Sequence, residues 1–175
     1  QVVGAVSNDG RQTSYSYANL AFDANIGGYV YSSITATGPD GQSTIYAIGQ
    51  QGIGKARRNT VTSITDPLGR KTQVRMDGTR IVRVTASEGN YVQNGYDDFA
   101  NVISQTRVAK AGSGLTNQVD TANFTTLNCT DVSCWRANWI RDAKGNQTDF
   151  AYNSSGQVTE ITEPADASGV RRKTI

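Results

Sequence analysis

The chain contains no histidine, and that absence limits what chemistry its side chains could do. Ser-His-Asp and Cys-His arrangements are excluded, as are histidine-bound zinc and most general-base schemes near neutral pH. Carboxylate pairs remain, because two acids at a suitable separation can cleave a glycosidic bond. The candidates are Asp97-Asp98 and Glu160 with Glu163. Both fall at turns or strand ends, as ordinary turn residues do, and nothing singles out either pair. Gly49-Gln50-Gln51-Gly52-Ile53-Gly54-Lys55 spells G-x-x-x-x-G-K. A phosphate loop also needs a Ser or Thr for Mg²⁺ and a helix whose amide end cradles the phosphates. Ala56 has no hydroxyl, and Arg57-Arg58-Asn59-Thr60 opens no amphipathic helix. The segment reads as a hairpin loop, and no cofactor is expected.

Cys129 and Cys134 are spaced more widely than the C-x-x-C of redox or zinc sites. Two thiols cannot complete a tetrahedral zinc site, and the chain has no other soft ligand. They are read as a disulfide in preference to free thiols; closing so short a loop contributes roughly 2 kcal/mol before strain. Trp135 and Trp139 flank Arg136. They could stack on a sugar or a partner, but anchoring the surrounding segment against a sheet is the simpler role.

The elements that must position these residues are turns followed by strands. A Gly is followed three residues later by Thr and seven later by a large apolar or aromatic residue. The copies are Gly10, Thr13, Tyr17; Gly41, Thr44, Ile48; Gly69, Thr72, Met76; and Gly145, Thr148, Tyr152. A degenerate copy is Gly89, Val92, Tyr96. Each Gly closes a turn-forming string such as Asp66-Pro67-Leu68-Gly69 or Asp142-Ala143-Lys144-Gly145, where Gly supplies positive φ and Asp caps the turn. Period-two alternation in Gln73-Val74-Arg75-Met76, Arg80 to Thr85 and Gln157 to Thr162 predicts strands. No helical stretch longer than about ten residues carries an i, i+3, i+4 apolar stripe. The fold expected is all-β, built of successive antiparallel hairpins.

Bulk properties agree with this. The apolar fraction is 37%, low for a self-sufficient domain, with Thr, Ser, Asn and Gln suiting strands that have one solvated face. The net charge of +2 is near neutral, and the basic runs Arg57-Arg58 and Arg171-Arg172-Lys173 are short. A nucleic-acid partner is not expected. No window approaches the ~20 apolar residues of a membrane-spanning helix. Two regions break the rhythm. Residues 49–58 read as a Gly-rich loop, and residues 109–138 as an irregular, Cys-containing insertion between repeats, with one helical turn near Thr121 to Phe124.

Asp142 to Thr162 carries the fullest unit, and it resembles the RHS or YD repeat, D-x-x-G-N-x-T-x-x-x-Y-D-x-x-G-x-(V/L)-x-x-(V/I)-T. Asp142, Gly145, Thr148, Tyr152 and Gly156 match, and Asn153 stands where that family has the Asp of its YD pair. Asp66, Gly69 and Thr72 match the first half. Tyr96-Asp97-Asp98-Phe99-Ala100-Asn101-Val102 matches the second half, with Asn101 read in the place of Gly because Asn tolerates a left-handed conformation. The resemblance covers most of residues 60–175 and, more weakly, residues 5–50.

Such a resemblance implies hairpins wound into a spiral sheet that forms part of a hollow shell. Bacterial polymorphic toxins, toxin-complex subunits and teneurins use that shell, and in bacterial members it encloses a toxic C-terminal domain. The expectation for residues 1–175 is a single repeat segment of a larger secreted or cell-surface protein. It is expected to be structural rather than enzymatic. Its partners would be the rest of its own polypeptide, or neighbouring copies meeting it at sheet edges. The alternative is a binding or self-assembling module that uses those open edges.

Overall fold

A computed structural model describes residues 2–6, 11–24, 27–51, 58–125 and 132–175. The chain divides into two compact units, Gln1–Asn90 and Tyr91–Ile175, a division that no shift in composition marks. Both are all-β, and the described residues contain no α-helix. In the first unit the strands are β1 (Val2–Val6), β2 (Gln12–Ala18), β3 (Ala21–Asp23), β4 (Gly28–Val30), β5 (Ser33–Thr37), β6 (Ser43–Gln51), β7 (Arg58–Thr65), β8 (Lys71–Asp77) and β9 (Arg80–Thr85). Its sheet runs β1-β2-β5-β6-β7-β8-β9, and β3-β4 forms a separate two-stranded hairpin. The second unit runs in simple sequence order: β10 (Tyr91–Tyr96), β11 (Val102–Val108), β12 (Gln118–Phe124), β13 (Ala137–Arg141), β14 (Gln147–Tyr152), β15 (Val158–Ala165) and β16 (Arg171–Thr174). Within each unit all the pairings are antiparallel.

Strand β8 shows why these sequences are strands. Lys71, Gln73, Arg75 and Asp77 are exposed, while Thr72, Val74 and Met76 are half-buried, the alternation of a pleated strand with one wetter face. Almost nothing is fully enclosed. Among the described residues only Ser63, Cys134 and Gly156 are buried. Among the described residues the one contact that the β3-β4 hairpin is seen to make with a sheet strand beyond its neighbours is the Asn59 side chain donating to the Tyr29 carbonyl at 3.2 Å.

Two regions differ from the sequence-based expectation. Strand β6 continues through Gly49 to Gln51 and β7 starts at Arg58, so the Gly-rich loop is shorter than residues 49–58; residues 52–57 lie outside the described residues. Gly49 fits in the strand because a Cβ there would meet Thr62 Cγ2 at 2.7 Å. The helical turn near Thr121 to Phe124 is replaced by β12, which pairs with β11 on one side and β13 on the other. Bonding on both sides satisfies backbone groups that one isolated helical turn would leave to water. Within residues 109–138, the stretch 118–124 and the last two residues are therefore sheet. The only helical piece described there is a 3₁₀ turn at Val132–Trp135.

Candidate functional site

The feature repeated most faithfully is a hairpin unit with a side-chain-locked turn at one end and a β-bulge at the other. Seven turns in the described residues close in one way. The first residue's N–H donates to the fifth carbonyl, and the fourth N–H donates back to the first carbonyl. They begin at Gly38, Ala86 and Asp66 in the first unit, and at Asp97, Asp142, Asn153 and Asp166 in the second. Where the first residue is Asp or Asn, its Oδ1 accepts the N–H groups of the third and fifth residues. Asp66 takes Leu68 and Arg70 at 3.0 and 2.9 Å, and Asp142 takes Lys144 and Asn146 at 2.9 Å each. Asn153 does the same with Ser155 and Gln157, so its replacement of Asp keeps the turn intact.

The fourth position needs positive φ. Gly69 has φ +78°, Gly145 +89°, Gly156 +74° and Gly169 +81°. In the Asp97 turn this position is Ala100, at φ +70°, and this corrects the alignment that put Asn101 in the place of Gly. The turn counts from its Asp, whatever residue arrives fourth. Asn101 is fifth, like Asn146, and its Nδ2 donates to Asp97 Oδ2 at 2.8 Å as Asn146 does to Asp142.

These bonds hold carboxyls below their ordinary range. For Asp66 the main cause is the Arg70 backbone N–H; for Asp142 it is the Asn146 side-chain amide; for Asp166 it is the Ser168 hydroxyl. Asp149 is lowered chiefly by the Gln147 amide, with Arg171 adding to it, and Glu160 chiefly by Lys173.

The seventh residue of the repeat motif marks the bulge. Register shifts fall between Ala47 and Ile48, Arg75 and Met76, Gly95 and Tyr96, and Ala151 and Tyr152. On the facing strands Thr62, Val82, Ile103 and Thr159 are the extra residues. A fifth bulge lies between Asn123 and Phe124, opposite Asn138. It exposes a copy that the sequence pattern missed, with Asn117 for Gly, Asp120 for Thr and Phe124 as the aromatic. Asp120 is there for a reason: it pairs with Arg107 at 2.5 Å and accepts the Ala143 N–H at 2.9 Å. In the fullest unit Tyr152 bonds from its hydroxyl to the Ala137 carbonyl at 3.0 Å and lies beneath Arg136.

The residues that could have done chemistry do not converge. The Asp97 carboxylate is taken up by its own turn. Glu160 accepts from Thr162 at 3.1 Å and from Lys173 at 2.8 Å. After Gln51 the next described element is a strand, β7, where a phosphate loop would need a helix; Lys55 and Ala56 lie outside the described residues. Trp139 stacks under Arg141, whereas Trp135 is 62% exposed. Cys134 is disulfide-bonded and 2% exposed; Cys129, the other cysteine, lies outside the described residues. A groove of about 570 Å³ in the second unit is lined by Val102, Ala122, Ile140 and Ala143 beside Asp120 and Asp142. Both of its carboxylates are engaged by the bonds above.

No helix among the described residues is long and apolar enough to cross a membrane. No protein-family model and no curated protein matches the chain.

Proposed function

We propose that the chain is a non-catalytic structural segment of a secreted or cell-surface RHS/YD-repeat protein, forming part of a β-wall that encloses or presents another domain. The observation that carries this reading is the coupling of one repeated hairpin device to single-layer sheets with almost no enclosed residue. A hairpin of this kind cannot bury an apolar face alone and depends on its neighbours. Exposed Ile45, Ile81, Val102, Ile103, Val119, Ile140 and Val158 are what a wall segment presents to whatever it faces. The locked turns and bulges fix register and local twist from one hairpin to the next, which a repeating wall needs. The disulfide at Cys134 suits an oxidising compartment.

The test is light scattering and dye binding on the isolated chain. A wall segment without its neighbours should bind a hydrophobic dye and associate with increasing concentration. A monodisperse, cooperatively unfolding monomer that leaves the dye dark would sink the proposal.

A further inference from the structure

The two sides of the second unit's sheet differ in chemistry, and strand register shows how. Ala122 on β12 lies opposite Ile140 on β13, Ile140 lies opposite Thr148 on β14, and Phe150 lies opposite Ile161 on β15. Residues directly opposite share a side and alternate with their neighbours. These form one apolar side, which Val158 extends through its pairing with Tyr152. The other side is closed by its own polar bonds. Arg141 donates to Gln147 and Gln147 to Asp149, while Arg171 pairs with Asp149 and Lys173 with Glu160. On β12, β13 and β14 the apolar side carries one charge, Asp120, and Arg107 neutralises it. That side is nevertheless open, with Ile140 46% and Val158 49% exposed.

We propose that the apolar side packs face to face against the same side of a second copy of the chain, making a two-fold dimer with a sandwich core. Size supports a copy as the occupant. The seven strands β10 to β16, at about 4.8 Å spacing and roughly 20 Å length, offer a face of about 650 Å². Two copies then cover roughly 1,300 Å², within the range of stable protein interfaces. Charge supports it too, since a neutral side meets its own image without opposing like charges, as an isologous interface must. Facing sheets interdigitate their side chains, and the groove lined by Val102, Ala122 and Ile140 gives incoming side chains room. The inference goes beyond the wall reading, whose association can run through sheet edges alone.

Sedimentation equilibrium of the whole chain should show a monomer–dimer equilibrium that stops at two. Ile140→Lys should weaken dimerisation about a hundredfold, because a two-fold interface carries each substitution twice and each enclosed ammonium costs about tenfold. Val119→Lys makes the same change on the opposite side of β12, where Val119 is also exposed, and should leave the dimer intact. Should Ile140→Lys unfold the chain, Val158→Lys supplies the same reading from β15. Association that survives both Ile140→Lys and Val158→Lys, or that runs on past two copies, overturns the face-to-face pairing and leaves the wall reading standing. So does equal loss of the dimer in Val119→Lys, or a monomeric parent that binds a hydrophobic dye. A monomeric parent that leaves the dye dark sinks both readings.

Discussion

The side-chain amide of Asn101 donates to the carbonyl oxygen of Cys134 at 2.7 Å, while also donating to Asp97 Oδ2 at 2.8 Å. One residue thus fastens the turn after β10 to the buried cysteine ahead of β13, 33 positions along the chain. Among the described residues the fifth residue of no other turn makes such a second bond; here it ties a repeat hairpin to the segment that interrupts the rhythm.

Replacing Asn101 with Ala should therefore cost more than replacing Asn146. Each removes the bond back to its Asp, but only Asn101→Ala leaves a part-buried carbonyl without its donor, a loss of about 1–3 kcal/mol. Urea unfolding of both variants decides it. Equal midpoints would mean the Cys134 contact contributes nothing.

Ala100 holds a left-handed conformation that costs a residue with a Cβ about 1–2 kcal/mol. Ala100→Gly relieves this, offset in part by the greater freedom of glycine in the unfolded chain. The expected net gain is about 0.5–1 kcal/mol, read as a higher denaturation midpoint at unchanged slope. Ala100→Val should lose stability at the same site.

Gly49 and Gly95 are strand glycines whose added Cβ would meet different obstacles. At Gly49 the obstacle is Thr62 Cγ2 at 2.7 Å, and Thr62 is held by a bond from its hydroxyl to the Ala47 carbonyl. At Gly95 it is Ser104 Oγ at 2.5 Å, an atom that can turn aside. Gly49→Ala should then cost about 1–3 kcal/mol and Gly95→Ala less. Pairing Gly49→Ala with Thr62→Ser removes the obstructing methyl and should recover most of the loss; a double variant as unstable as the single one would falsify this account.

Stability should fall in acid through three turn carboxyls and two on strands. Asp66, Asp142, Asp149, Glu160 and Asp166 lie below their ordinary values in the folded chain. Their contribution is therefore complete above the unfolded values of about 4 and is lost as pH drops through the lower folded values. Melting temperature should hold steady from pH 7 to about 5 and decline below about 4. Asp142→Asn keeps the oxygen that accepts the two backbone N–H groups but loses the acceptor of the Asn146 amide, so it should be less stable than the parent at pH 7 and show a shallower acid decline.

How legible the molecule is from its sequence depends on whether a residue type is unique to its job. Asp66, Gly69, Asp142 and Gly145 are legible because few residues cap such a turn or take positive φ at low cost. Ala100 is not, since alanine has no propensity that signals it. Strand β12 was hidden because Asn117 and Asp120 replace both marker residues of the motif, and Asp120 was chosen by an ion pair with Arg107. The bulges do fall at the motif's last residue, but nothing in that residue's type announces them, since they exist in the pairing between strands. The same holds for Arg75 and Arg83, which face each other only once β8 and β9 are in register.

The bulge positions have a consequence for how such a chain can change length. Ile48 to Met76, Tyr96 to Phe124, and Phe124 to Tyr152 are equal steps, and each ends at a bulge. Gaining or losing a single residue within a strand would turn the rest of that strand's side chains to the opposite face unless a bulge absorbs it. Gaining or losing a whole step returns each residue to its own face and each bulge to its own phase. Whole-interval duplication and deletion are then the tolerated currency of variation, and a ladder of this kind can lengthen or shorten by rungs without redesigning any one of them.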